Sequence, residues 1–256
     1  MKVYFLGTGT SQGIPVIGSK HPVCLSSNLK DKRLRTSVLI DWNNTKILID
    51  CGPDFRQQML RLNNDSLDVI LFTHEHADHT AGLDDIRPYC FMESKAMPVY
   101  AQKRVVESLK RRFDYIFETT NRYPGAPSIE IHEISEYKKF TVNNNKEILP
   151  LLVNHGSLPI LGYRFENFAY LTDVKTLDDK TYDELKNLDV LVINALRIQE
   201  HPTHNNLTEA LNHIQKIKPK KAYLTHIGFQ LGFHDEIQEM LPENVFLAYD
   251  QLILDI

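Results

Sequence analysis

Three cysteines, one tryptophan and no long apolar run set the first limits on this 256-residue sequence. Cys24, Cys51 and Cys90 are too few and too scattered for a disulfide framework, so a buried core must hold the chain together. No apolar stretch approaches the roughly 18–20 residues that cross a bilayer, so no membrane-spanning helix is expected. Gly7 interrupts Met1–Leu6 too early for a secretion signal. Neither sign of charge dominates. The 33 acidic and 29 basic side chains give a net −4, which offers nucleic acid no chain-wide attraction. With 42% apolar and 24% charged residues the composition is that of an ordinary globular protein, expected in the cytoplasm. Histidine is what the chain has in excess, with 11 residues against the single tryptophan.

Short aliphatic runs alternate with amphipathic stretches throughout. Strands are expected at Lys2–Leu6, Thr36–Asp41, Lys46–Asp50, Val69–Phe72, Val99–Tyr100, Ile129–Glu133 and Lys139–Val142. Others are expected at Glu147–Val153, Ile160–Phe165, Ala169–Leu171, Val190–Ile193, Lys221–Leu224, Val245–Ala248 and Leu252–Leu254. Helical periodicity marks Phe55–Arg61, Lys103–Arg112, Asp178–Asn187, Thr208–Lys216 and Asp235–Leu241. Asn206 and Thr208 are candidate N-caps for the fourth of these, and Pro219 closes it. Residues 128–172 are nearly all strand, whereas the flanks mix strand and helix. Two sheets covered by outer helices suit that distribution, and a simple βαβ repeat does not. No linker divides the chain, so residues 1–256 read as one domain, with Glu118–Ser128 as a protruding loop.

Three aliphatic runs end alike, in Leu71-Phe72-Thr73-His74, Tyr170-Leu171-Thr172-Asp173 and Tyr223-Leu224-Thr225-His226. Side chains at the ends of strands that share one edge converge there. The densest motif is Thr73-His74-Glu75-His76-Ala77-Asp78-His79. Alternate residues of an extended segment face the same way, so His74 and His76 can hold one ion while Asp78 and His79, past a turn, face a second. Imidazole and carboxylate without thiolate suit zinc, manganese or iron. This is not the helical His-Glu-x-x-His of zincin proteases, because Asp78 stands four residues after His74. A surface histidine patch is the alternative, and the compactness of the motif argues against it.

The pattern His-x-His-x-Asp-His behind a hydrophobic strand resembles the metallo-β-lactamase superfamily, and the resemblance runs nearly the length of the chain. It implies an α/β fold, the four-layer αββα sandwich of two mixed β-sheets with helices outside, and two divalent metal ions. Where the motifs match, it carries over His155 in Val153-Asn154-His155-Gly156, then Asp173, then His226. One ion would take His74, His76 and His155, the other Asp78, His79 and His226, with Asp173 between them. Asp50, in Leu48-Ile49-Asp50-Cys51-Gly52, matches the family's early aspartate, which orients a ligand loop by a hydrogen bond. A plain turn aspartate is the competing reading.

The fold alone selects no substrate. Gly7-Thr8-Gly9-Thr10-Ser11-Gln12-Gly13-Ile14-Pro15 resembles the opening of the ribonuclease Z and phosphoribosyl cyclic phosphodiesterase (PhnP-type) branch. The segment Arg197–His204 resembles the stretch where that branch places a proton-donating histidine. His204 fits the position, with His201 in reserve. Gly82-Leu83-Asp84-Asp85-Ile86-Arg87-Pro88 resembles the same branch and offers Arg87 as a phosphate clamp, with Arg197, Arg35 and Arg164 as further candidates. One departure concerns a structural zinc. Only His21 and Cys24 could bind it, and Phe229 stands three residues after His226 where a late histidine is needed, so no such site is expected.

The resemblance thus implies hydrolysis of a small cyclic phosphodiester such as phosphoribosyl 1,2-cyclic phosphate. A hydroxide between the ions would attack phosphorus, with Asp78 catalytic as well as ligating, and His204 would protonate the departing oxygen. A homodimer is compatible with this. The alternatives are RNA cleavage of ribonuclease Z type, against which the charge of −4 weighs, thioester or lactone hydrolysis, and a non-enzymatic metal sensor or structural protein.

Overall fold

Each half of the chain builds one sheet. The computed structural model describes residues 1–256, the side chain of Asn144 excepted. The first half supplies β1 (Lys2–Gly7), β2 (Ser37–Trp42), β3 (Thr45–Ile49), β4 (Val69–Leu71), β5 (Met97–Ala101) and β6 (Ile129–Glu133). The second supplies β7 (Phe140–Val142), β8 (Lys146–His155), β9 (Leu158–Phe165), β10 (Phe168–Leu171), β11 (Val190–Asn194), β12 (Lys221–Thr225) and β13 (Val245–Leu247). The last strand, β14 (Ile253–Asp255), returns to pair with β1. Among the described residues the strands form two seven-stranded sheets, ordered β14-β1-β2-β3-β4-β5-β6 and β13-β12-β11-β10-β9-β8-β7. Both are mixed in the same way: β1 to β3 and β7 to β10 pair antiparallel, whereas β3 to β6 and β10 to β13 pair parallel.

The helices are α1 (Pro22–Leu25), α2 (Phe55–Leu62), α3 (Ala77–Thr80), α4 (Arg87–Glu93), α5 (Lys103–Arg112), α6 (Asp114–Phe117), α7 (Asp179–Glu184), α8 (Leu207–Ile217) and α9 (His234–Met240). Alternation along the strands sorts residues into layers. In β2 and β4, Val38, Ile40, Val69 and Leu71 join Val190 and Val192 of β11 in the core between the sheets. Leu39 and Ile70 face the other way, onto Phe55 and Met59 of α2 and Val105, Val106 and Leu109 of α5. Leu191 and Ile193 of β11 pack instead on Ala210, Ile214 and Ile217 of α8 and Ile237 of α9. Strands apolar on both faces are what two sheets with outer helices require, and the result is the αββα sandwich.

Local chemistry explains where the elements depart from their sequence pattern. Asp178 is the N-cap of α7, its carboxylate accepting from the Thr181 amide at 2.7 Å, and that helix stops at Glu184 rather than at Asn187. Thr208 lies inside α8. The cap is Asn206, which makes a reciprocal box with Glu209. Helix α4 was not expected; Pro88 suits its first turn, where the missing N–H has no partner to lose, and Tyr89 and Cys90 are buried. The one-turn helices α1, α3 and α6 are too short to show a period. Residues 118–128 form neither helix nor strand and are mostly exposed. No helix among the described residues is long and apolar enough to cross a membrane.

Candidate metal centre

Parallel strands in one sheet end at the same edge, and here the strand ends of both sheets carry the polar residues. Asp50 follows β3, Thr73 and His74 follow β4, Asp173 follows β10 and His226 follows β12, while β8 ends in His155. Asp50, Asp173 and His226 have φ of 63°, 58° and 53°. Left-handed backbone is costly for a residue with a Cβ and persists where surrounding contacts over-determine it. Three strand ends therefore turn sharply at one place.

The gathered side chains form two clusters linked through Asp173. His74, His76 and His155 make one, with His74 Nε2 only 2.9 Å from His76 Nδ1. Asp78, His79 and His226 make the other. Asp78 Oδ2 lies 3.2 Å from His79 Nε2 and 3.8 Å from His226 Nε2. Asp173 stands between them, its Oδ2 3.4 Å from His79 Nε2 and its Oδ1 3.2 Å from His226 Nε2, and it also groups with His74. His204 closes the rim. Its Nδ1 is 3.4 Å from Asp173 Oδ1, and its ring stacks on that of His226 at 4.9 Å.

The atoms at the centre are short of partners. His79 Nε2 and both ring nitrogens of His226 are buried without a hydrogen bond. Such orphans are expensive, and a divalent cation among imidazoles and carboxylates satisfies them. The donor set fits one or two such ions.

A second ring of contacts aims the first. Asp50 is fully buried; it accepts the Thr73 amide at 2.8 Å and the Thr73 hydroxyl at 2.9 Å, and His79 Nδ1–H donates to it at 2.7 Å. That leaves His79 Nε2 facing the centre. His155 Nδ1–H donates to the Thr203 carbonyl at 2.8 Å, with the same effect on its ring. The threonines that precede ligand positions in three strands are all buried. Thr172 donates to Asp173 at 2.5 Å, and the Thr225 hydroxyl meets that of Thr36 at 3.2 Å.

Titration follows the same geometry. Burial opposes the charge on Asp78 and Asp173, yet His79 beside the first and His226 beside the second hold both below the usual carboxylate range. Burial likewise opposes protonation of His79, but Asp78, Asp173 and Asp50 raise its pKa. His74 is pushed down by burial and by His79. His204 is pushed down to about 3, by burial first and His226 second, against the pull of Asp173.

The arginines singled out in the sequence are engaged elsewhere. Arg87 pairs with Asp84, which also accepts the Tyr115 hydroxyl at 2.6 Å. Arg197 donates to the carbonyls of Gln199 and Glu200, Arg35 pairs with Asp54 at 2.9 Å, and Arg164 donates to the carbonyls of Glu166 and Glu184. His201 does reach the rim, its ring 4.9 Å from that of His204. Sequence reasoning missed Thr203 and Glu75. The first acts through a carbonyl that every residue has. Glu75, inside the histidine motif, pairs with Arg104 at 3.2 Å across a separation visible only in the fold.

A profile of the Beta-lactamase superfamily domain matches residues 45–227, a stretch that begins just before Asp50 and ends just after His226. The chain belongs to the beta-lactamase superfamily. Within the superfamily its likeness runs to the PhnP and ribonuclease Z branch. A solved structure of a new diphosphatase from the PhnP family is 38% identical, with a TM-score of 0.92, covering 100% of this chain and 97% of that one. An octanoyltransferase of Porphyromonas gingivalis is 41% identical over 254 residues, which is 98% of this chain and 51% of that protein. A ribonuclease Z of Methanopyrus kandleri is 27% identical over 169 residues, 63% of this chain and 49% of that protein. This superfamily member thus spans about half the length of either relative.

Proposed function

We propose that the chain is a metal-dependent phosphodiesterase that holds two divalent ions, zinc or manganese, and opens a small phosphodiester. The observation that carries this reading is the place of His204, on the rim of the cluster with its Nδ1 against Asp173. His74, His76 and His155 would hold one ion, Asp78, His79 and His226 the other, with Asp173 shared. Bound there, the ions supply Lewis acidity, which can lower the pKa of water from about 15.7 to about 7 and polarise a phosphoryl oxygen.

The protein's own groups do the rest. Asp50 and Thr203 fix the rings of His79 and His155. His204 is held neutral by burial, at a pKa of about 3, until an anionic phosphoryl group enters beside it. A neighbouring negative charge raises a histidine pKa, so a bound phosphoryl anion favours uptake of a solvent proton by His204, which then passes to the departing oxygen. That help is worth about 10²–10⁴-fold, and a sugar alkoxide needs it more than a phosphate does. His204 thereby favours a cyclic ribose phosphate, whose leaving group is a sugar alkoxide, over an ester whose leaving group is a phosphate. Loop residues 118–128 carry one cation, Arg122, and one anion, Glu118, which is no grip for RNA. The chain matches 51% of the Porphyromonas gingivalis octanoyltransferase, and octanoyl transfer is not proposed for it. Cys24, Cys51 and Cys90 are all free and buried, which suits a reducing cytoplasm and leaves no exposed thiol to carry an acyl group.

The test is a panel of a cyclic ribose phosphate, a nucleoside diphosphate ester, bis-nitrophenyl phosphate, an octanoyl thioester and a lactone, run with the metal-loaded chain. Turnover of the cyclic ester is expected, and turnover of the thioester alone overturns the reading. His204→Ala should lose about 10²–10⁴-fold on the alkoxide-leaving ester and far less on the nitrophenyl one, and equal losses remove its role as proton donor.

A further inference from the structure

A second buried polar network lies outside the matched residues, behind the amino-terminal glycine loop. Thr8 is fully buried. Its amide and hydroxyl both donate to Asp250 Oδ1, at 3.0 and 2.8 Å. The same hydroxyl accepts from Arg33 Nη1 at 2.7 Å, and Arg33 Nη2 meets His234 Nδ1 at 3.0 Å. The His234 amide donates to Asp31 at 2.8 Å, and the Leu34 amide to Asp250 Oδ2 at 2.8 Å. Arg33, Asp31, Asp250 and His234 are all buried. None of these side chains joins the metal cluster.

The network reaches the centre by one route. Thr8 accepts the Ile227 amide through its carbonyl at 2.9 Å, and the Thr10 amide donates to the Ile227 carbonyl at 3.1 Å. Both backbone groups of the residue after His226 are therefore held by the glycine loop. On the other side the strand end is fixed separately, because the Ala195 amide donates to the Thr225 carbonyl at 3.0 Å. His226 sits between these anchors at a φ of 53°. The loop is hemmed in on its other flank, where a Cβ on Gly7 would stand 2.0 Å from the Arg35 carbonyl oxygen.

We propose that Thr8, clamped by Asp250 and Arg33, is the positioning residue for His226 and sets the affinity of the cluster formed by Asp78, His79 and His226. This rests on the two-ion reading above. Thr8→Val keeps the shape and removes the hydroxyl that joins Arg33 to Asp250; Thr8→Ser keeps the hydroxyl. The probe is cobalt(II), titrated into the chelator-stripped full chain and followed by visible absorption and equilibrium dialysis. Wild type and Thr8→Ser should each take two equivalents. Thr8→Val should take the first as wild type does and the second about 10–100-fold more weakly. Thr8→Ala, which removes the same hydroxyl with less bulk, must show the same loss at the second equivalent. A merely structural role would weaken both equivalents together. Equal weakening, an unchanged second equivalent, or no rescue by Thr8→Ser overturns the assignment. Wild-type protein that binds fewer than two ions overturns the two-ion reading itself, and this assignment with it.

Discussion

Asp50 and His234 do their work one bond away from where they act. Asp50 receives three donors from Thr73 and His79. Burial pushes its pKa up, against the opposing pull of His79 and Thr73. Asp50→Ala should weaken zinc at the His79 side of the centre by about 10–100-fold in chelator competition, and an unchanged affinity would reduce Asp50 to a turn residue. His234 has the opposite problem. Burial, and then the charge of Arg33, lower its pKa from 6.5 to about 4. An unfolded chain takes up a proton there at about 6.5 that the folded one refuses until about 4. Stability is therefore complete above the upper value and falls as pH drops through that window. His234→Asn keeps an acceptor for Arg33 and cannot titrate. It should flatten the fall of the urea midpoint of the metal-free protein between pH 6.5 and 4, and an unchanged slope would place that pH dependence elsewhere.

At the scale of elements, the centre depends on how β8 and α8 meet. Strand β8 ends in His155, and the chain turns at Gly156 with a φ of 63°. A Cβ on Gly156 would lie 2.9 Å from Thr203 Cγ2, in the residue whose carbonyl holds His155. Gly156→Ala should cost about 1–2 kcal/mol from left-handed backbone alone, measured by urea unfolding, and should lower turnover by displacing Thr203. The cap of helix α8, Asn206 with its Glu209 box, stands two residues beyond His204. Asn206→Ala should destabilise the fold by about 0.5–2 kcal/mol. It should also depress turnover of the alkoxide ester more than that of the nitrophenyl ester, because the residues carrying His204 run directly into that cap.

For the whole molecule, ions that bind only the folded chain raise its stability by mass action. A site filled at about 100 times its dissociation constant adds about 2.7 kcal/mol, which for a chain of this size raises Tm by roughly 5–10 °C. Chelator should reverse that shift, and a Tm indifferent to chelator would mean that the cluster holds no ion. Legibility in the sequence follows the distance over which information is needed. The two-faced strands and the cluster from His74 to His79 are local patterns, and they stand out. His155, Asp173 and His226 were legible only in series with them, through the resemblance. The arginines were not legible in the same way, because a guanidinium looks alike in sequence whether it meets a phosphate or, as Arg87 does here, Asp84. Thr8 and Thr203 lie in motifs that the sequence offers, but their positioning roles, like that of Asp250, carried no signal, since their effect passes through backbone groups of distant residues.

By itself the sequence determined the apolar alternation that makes a double-sheet core and the imidazole and carboxylate chemistry of the donors. Periodicity and residue type are properties of neighbours in the chain. Which of the 11 histidines meet was decided by tertiary structure. Residues from Asp50 to His226 meet because the strand ends of both sheets come together on one side of the sandwich, and three left-handed turns there, one of them followed by the Ile227 backbone that Thr8 and Thr10 hold, point them at a common centre.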